Sequence, residues 1–300
     1  MPDSTAVLYT LAGASLVCAV VLTGLYASGN PLYPTLPTLP ATTVMSLDSV
    51  DISAKAAVVY DPTDKKMLYA KNADAPLPLA SLTKLMSAEA VLAAAKPGAQ
   101  VTITTDDLKP EGDWGFIPGE TWNIHDLLVF GLVASSNDAM AAAADAVPGG
   151  AIAAMNLRAA QLGLTRTYFS NPTGLDVDLE TAGAYGSARD MAVLVASFLS
   201  EHPGLFEATA NPSVTIRSGE HVLTADSTSV PLQSIPGLIA AKTGYTDLAG
   251  GNLVAAFDIH IGHPIIIAVL GSSRDGRFED VKALIEAARR AAAAHPQPSL

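Results

Sequence analysis

The order of patterns along this 300-residue chain predicts a mixed α+β fold. A β-hairpin comes first, a strongly apolar, alanine-rich helical stretch fills the middle, and a run of strands closed by one amphipathic helix ends the chain. Strands and helices kept apart in sequence imply a mixed sheet whose first and last strands meet, with the helices inserted as a lobe. The boundary between lobe and sheet is then the expected place for a catalytic cleft. With 49% hydrophobic residues the chain can bury a full enzyme core. Its net charge of −12, with no basic stripe, speaks against a nucleic-acid partner.

Ala56 to Tyr60 and Met67 to Ala70 flank the turn Asp61-Pro62-Thr63-Asp64 and read as the hairpin. The spaced prolines Pro76 and Pro78 hold the next residues extended ahead of an unbroken run of helix formers, which predicts a helix from near Ser81 to Ala95. Residues Ile124 to Ala134, Ala139 to Ala146 and Ala151 to Leu162 continue the helical lobe. Asn171-Pro172-Thr173-Gly174-Leu175-Asp176 is turn chemistry, and Ser187 caps a helix that runs to Leu199. Strands follow over 214–217, 221–224, 238–242, 252–259 and 264–270, and Phe278 to Ala294 is the closing helix.

Ahead of the hairpin, residues 5 to 27 carry no charge and are long enough to cross the ~30 Å hydrocarbon layer as a helix. The missing basic n-region favours an uncleaved anchor over a cleaved signal peptide. Prolines at 31, 34, 37 and 40 repeat with the period of a polyproline II rod. The expected organisation is therefore an anchor or signal segment over 1–29, a proline-rich linker over 30–44 and a catalytic domain over 45–300. Cys18, the single cysteine, excludes a disulfide framework and any C-x-x-C site. His260 and His263 flank Gly262 in a turn, and no H-E-x-x-H helix exists, so neither metal nor cofactor is expected.

Three motifs carry the chemistry. Ser81 and Lys84, one helical turn apart, lie on one face, and burial would lower the amine's pKa until it accepts the serine proton. Ser135-Ser136-Asn137 sits between two apolar helices; the Ser135 hydroxyl suits a proton relay from Lys84 to a leaving amine, and Asn137 a peptide-group contact. Lys242-Thr243-Gly244 ends an apolar strand expected to face Ser81. Its lysine and threonine suit a carboxylate, its glycine lets a ligand lie close, and the Tyr245 amide would join that of Ser81 as an oxyanion donor.

S-x-x-K, S-x-N and K-T-G in that order resemble the low-molecular-mass penicillin-binding proteins that act as serine-type D-alanyl-D-alanine carboxypeptidases. The resemblance covers about Met45 to Arg290 and includes Gly119-Glu120, Asp126-Leu127-Leu128, Asn171 to Leu175, Ser187 to Met191 and the extension Tyr245-Thr246. It implies a β-lactamase/transpeptidase-like fold, with a five-stranded antiparallel sheet flanked by helices and a helical lobe. It also implies a Ser81 acyl-enzyme formed with the penultimate D-alanine of a peptidoglycan stem peptide, with Lys84 as base and Ser135 as shuttle. Asn137 would hold the substrate amide, and Lys242 and Thr243 the terminal carboxylate. β-Lactams would acylate Ser81, and the catalytic domain would face the extracytoplasmic side of a bacterial membrane, tethered by the N-terminal segment.

Two departures stand out: Ser136 replaces the family's usual glycine, with the expected effect of narrowing that turn or altering deacylation, and the chain ends soon after the closing helix. A D,D-endopeptidase on cross-linked peptidoglycan would use the same residues. A serine β-lactamase would add an E-x-x-x-N loop, whose spacing Glu207 and Asn211 match from the wrong place in the chain. A non-catalytic β-lactam or cell-wall receptor has no reason to keep Ser81, Lys84 and Lys242.

Overall fold

The computed structural model describes Leu47, residues 50–96 and residues 98–294, all within one compact unit. The expected anchor, the proline rod and Cys18 lie outside the described residues. Among the described residues no helix is long and apolar enough to cross a membrane.

In chain order the strands are β1 (Ala56–Asp61), β2 (Lys66–Lys71), β3 (Leu77–Pro78), β4 (Gln100–Thr102), β5 (Thr121–Asn123), β6 (Tyr168–Phe169), β7 (Ala184–Gly186), β8 (Ser213–Ser218), β9 (His221–Asp226), β10 (Leu238–Thr246), β11 (Gly250–His260) and β12 (His263–Ser272). The helices are α1 (Thr83–Ala94), α2 (Ile124–Val133), α3 (Asn137–Asp145), α4 (Ala151–Gln161), α5 (Ala188–Glu201), α6 (Pro203–Glu207) and α7 (Gly276–Ala294).

The five-stranded sheet has the order β10-β11-β12-β1-β2. First and last strands do meet, Ala56 opposite Leu270 and Tyr60 opposite Ile266. The sheet is not mixed, however: all four pairings are antiparallel. The connections explain three of the four, since β10 to β11, β11 to β12 and β1 to β2 are joined by turns too short for a parallel crossover.

Strand alternation divides the core into two layers. Val58, Ala240, Val254, Ala256, Ile266 and Ala268 face the helical lobe. Val59, Ala241, Leu253, Ala255, Ile267 and Val269 face Val281, Leu284 and Ala288 of α7. Because β11 is covered on both sides, its Leu253–Phe257 stretch is apolar without alternation. In the lobe, α1 is buried on nearly every side, which is why its sequence shows no polar stripe.

The start of β1 is pinned to α7 by the buried carboxylate of Asp280, which accepts from the amides of Ser53 (2.8 Å) and Ala54 (2.9 Å) and from the Ser272 hydroxyl (2.6 Å). Asp280→Ala leaves two amides without acceptors, and chemical denaturation is expected to show a loss of about 3 kcal/mol.

The sequence expectations differ from the structure at the edges. The helix after the prolines begins at Thr83, and Ser81 sits in a preceding 3₁₀ turn over Ala80–Leu82. Leu77 and Pro78 form a two-residue strand that pairs with Gly186 and Tyr185 of β7. The β4–β5 ribbon, where Val101 stands opposite Trp122, and the small β3-β7-β6 sheet went unread, being too short for a periodic signal. Ser187 caps α5 as expected, its oxygen accepting from the Asp190 amide at 3.1 Å.

Candidate active site

Ser81 is presented by a strained turn. Ala80 holds φ +49°, a region costly for a residue with a Cβ, and the turn is fixed from three directions. Leu79 donates its amide to the Ala184 carbonyl (3.0 Å). Gly174 (φ +82°) packs against the Ala80 carbonyl where any Cβ would collide with it, and a Cβ on Gly244 would stand 3.1 Å from the Ser81 amide nitrogen. Glycine is required at both positions for this close approach.

One turn into the chain from Ser81, Lys84 is fully buried, with its Nζ 2.9 Å from Ser81 Oγ. The same nitrogen donates to Asn137 Oδ1 (2.7 Å) and to the Thr173 carbonyl (2.8 Å). Burial without a carboxylate partner lowers the Lys84 pKa to about 7. A neutral amine has two N–H bonds and one lone pair; the two carbonyl oxygens take the first, which turns the lone pair toward the serine hydroxyl.

Ser135 also holds a positive φ, +61°, at the junction of α2 and α3. Lys242, fully buried at the end of β10, reaches it with a 2.8 Å bond from Nζ to Ser135 Oγ and donates to the Thr243 carbonyl at 2.9 Å. The Lys242 pKa is lowered well below its ordinary value, first by burial and then by the charges of Lys84 and Arg277. Thus the three motifs converge: Lys84 on Ser81 and Asn137, Lys242 on Ser135, and Gly244 on the Ser81 backbone. The Thr243 hydroxyl donates to that of Thr228 (2.7 Å), and Tyr245 is 40% exposed.

Ser136 does not narrow its turn. It sits at φ −62°, open to any residue, and its buried hydroxyl caps α3 by accepting from the Ala139 amide at 3.1 Å. The positive φ falls on Ser135 instead.

Several contributors were missed by sequence reasoning. The turn at Asn171 was read only as a turn, yet its carbonyl at Thr173 orients Lys84; Asn171 Oδ1 shapes it by accepting from the amides of Thr173 (3.2 Å) and Gly174 (2.7 Å). Asn137 Nδ2 donates to the Glu111 carbonyl, fastening the 111–116 loop beside the site. Arg277, buried at the start of α7, donates to the Gly244 carbonyl at 2.6 Å. Nothing local marks these groups, since two of the three act through backbone carbonyls and the third sits in a different element.

Residues weighed for other chemistry lie elsewhere in structural roles. Glu207 and Asn211 are exposed at the ends of α6 and the following 3₁₀ turn. His263 closes the β11–β12 hairpin against Asp61 (2.8 Å). Among the described residues Glu89, Glu201 and His202 bring potential ligand atoms together, but the Arg158 guanidinium already bonds both carboxylates, Glu89 at 3.1 Å and Glu201 at 2.6 Å.

An antiparallel sheet backed by one terminal helix, faced by a helical lobe, with its S-x-x-K, S-x-N and K-T-G motifs meeting in one place, defines the class of low-molecular-mass, serine-type penicillin-binding proteins. The chain belongs to the D-alanyl-D-alanine carboxypeptidase family, whose model matches residues 42–274. It is similar to a D-alanyl-D-alanine carboxypeptidase of Bacillus subtilis, 31% identical over 213 residues, covering 68% of this chain but only 54% of that relative. It is also similar to a D-alanyl-D-alanine endopeptidase of Escherichia coli, 31% identical, covering 73% of this chain and 72% of the relative. Among solved structures, penicillin-binding protein D2 of Listeria monocytogenes in its cefotaxime-bound form matches with TM-score 0.70 and 33% identity, over 80% of this chain and 99% of that one. A D-alanyl-D-alanine carboxypeptidase of Mycobacterium tuberculosis matches with TM-score 0.73 and 27% identity, over 85% and 97%.

Proposed function

We propose that this chain is a serine D,D-carboxypeptidase that removes the terminal D-alanine from peptidoglycan stem peptides and is acylated by β-lactams. The observation that carries the reading is the buried Lys84 amine, 2.9 Å from Ser81 Oγ, with its N–H bonds directed to two carbonyl oxygens. Lys84 takes the Ser81 proton as Oγ bonds to the carbonyl carbon of the penultimate D-alanine. The amides of Ser81 and Tyr245 hold the oxyanion. As the C–N bond breaks, the proton passes through Ser135 to the leaving amine, and terminal D-alanine departs. Water, deprotonated in turn by Lys84, then releases the shortened peptide. Asn137 orients the substrate amide, and Lys242 and Thr243 bind the terminal carboxylate, with Gly244 leaving room for the peptide at the strand edge.

The Escherichia coli relative supports endopeptidase action on cross-linked peptides as the second reading. Incubation with a pentapeptide ending in D-Ala-D-Ala and with a cross-linked dimer separates the two. Free D-alanine from the pentapeptide with an intact dimer is the expected result, and cleavage of the dimer reassigns the protein as an endopeptidase. We further place the catalytic domain on the extracytoplasmic side of a bacterial membrane, held there by the uncharged segment over 5–27; the substrate class and that segment support the placement.

A further inference from the structure

One turn touches three parts of the proposed machinery. Residues 171–176 are stiffened from within, Asn171 Oδ1 accepting from the amides of Thr173 and Gly174 and Asn171 Nδ2 donating to the Leu175 carbonyl at 2.9 Å. From this turn the Thr173 carbonyl meets Lys84 Nζ, and Gly174 packs against the carbonyl of Ala80, the residue before Ser81. Its last residue reaches the sheet. The half-buried Asp176 carboxylate accepts from the Thr246 hydroxyl at 3.0 Å and from the Leu248 amide at 3.4 Å. Among the described residues no lysine, arginine or histidine pairs with that carboxylate.

The contact falls where β10 has least support. β10 is an edge strand, paired with β11 on one side only. Ala241 shows which way its odd-numbered residues turn their backbone, since its amide donates to Thr209 Oγ1 (3.0 Å) and its carbonyl accepts from Ser229 Oγ (3.3 Å), both off the sheet. With a period of two, the Tyr245 amide points to that same free edge. The side chains of Lys242 and Thr246 share a face with Gly244: Lys242 bonds Ser135, a Cβ on Gly244 would stand 3.1 Å from the Ser81 amide nitrogen, and Thr246 bonds Asp176. The tie at Thr246 therefore fixes the strand one residue past the Tyr245 amide, on the side where Ser81 lies. Thr246 Oγ1 also accepts from the Ala249 amide (3.2 Å), so the same tie braces the β10–β11 turn.

We infer that Asp176 is a positioning residue for the oxyanion hole: through Thr246 it holds the Tyr245 amide in register with the Ser81 amide, so that both meet the developing oxyanion. The inference rests on the D,D-peptidase reading above and deepens it by naming a residue outside the three motifs.

The test uses the full chain and compares Asp176→Ala and Thr246→Val with the wild type; Thr246→Val, close to threonine in shape, carries the test if Asp176→Ala does not fold. Acylation by a cephalosporin is timed beside acylation by its analogue with sulfur in place of the β-lactam carbonyl oxygen, a weak acceptor that gains little from the hole. Each variant is expected to slow the reaction with the cephalosporin about tenfold and that with the sulfur analogue no more than about twofold. The rise in rate through about pH 7, set by Lys84, stays in place. A cephalosporin rate within about twofold of the wild type in either folded variant overturns the role, and so does an equal loss on both compounds. A displaced pH rise also overturns it, because the turn would then act through Lys84. In all three cases the D,D-peptidase reading stands. A wild type that the cephalosporin does not acylate overturns that reading and the positioning role with it.

Discussion

Lys84→Ala is expected to slow acylation of Ser81 by a fluorescent penicillin by about 10²–10⁴-fold, the usual contribution of a positioned base. Time-resolved gel labelling reads the rate directly, and Ser81→Ala, which has no oxygen to acylate, gives the blank. In the wild type the same rate should climb with pH through about 7, because only the unprotonated amine accepts the serine proton. Lys84→Ala should flatten that limb as well as lower it. A labelling rate in Lys84→Ala within a few fold of the wild type, with the pH limb intact, would rule Lys84 out as the base. Stability carries the same signature. Between about pH 7 and 10.5 the unfolded chain binds this proton and the folded chain does not, so the Lys84 contribution makes stability rise with pH across that window. The slope should shrink when the lysine is removed.

Lys242→Ala is expected to lower kcat/KM for a D-Ala-D-Ala peptide by about 10²-fold, the scale of a charge-assisted hydrogen bond to a buried group. A peptide with an amidated C-terminus should lose far less, because it never offers the charge that the lysine meets. Burial first, and the neighbouring Lys84 and Arg277 after it, lower the Lys242 pKa in the free enzyme, and an entering carboxylate raises it. Binding of a carboxylate ligand should therefore draw a proton from solution. Calorimetry in buffers of different ionisation enthalpy measures that uptake, which should vanish in Lys242→Ala. Equal losses on the free and amidated peptides would assign Lys242 to holding Ser135 alone.

Ser81 with Lys84 was legible because a three-residue spacing brings side chains together in a 3₁₀ turn and in an α-helix alike, so the pair survives the junction between the two. Lys242-Thr243-Gly244 was legible because an apolar strand that ends in a lysine is a strong local pattern. Meeting of the two depended on the sheet joining strands more than 170 residues apart in sequence, as Asn252 Nδ2 does when it donates to the Pro78 carbonyl at 2.9 Å. No periodicity encodes that contact. The backbone carbonyl of Thr173 was illegible for a different reason, since every residue carries a carbonyl and only the fold selects the one that faces Lys84. Positive φ at Ala80 and Ser135 was likewise hidden, because neither residue type favours that region and the strain is imposed by what packs around it.

The bond from Lys242 to Ser135 reaches from the sheet to the helical lobe across the groove in which acylation is proposed. The two halves of the molecule are thus laced together at the very groups that must let a ligand in. Seating a carboxylate between them asks the enzyme to exchange an internal tie for an external one, so a covalently occupied protein and an empty one should differ in how readily lobe and sheet part on heating.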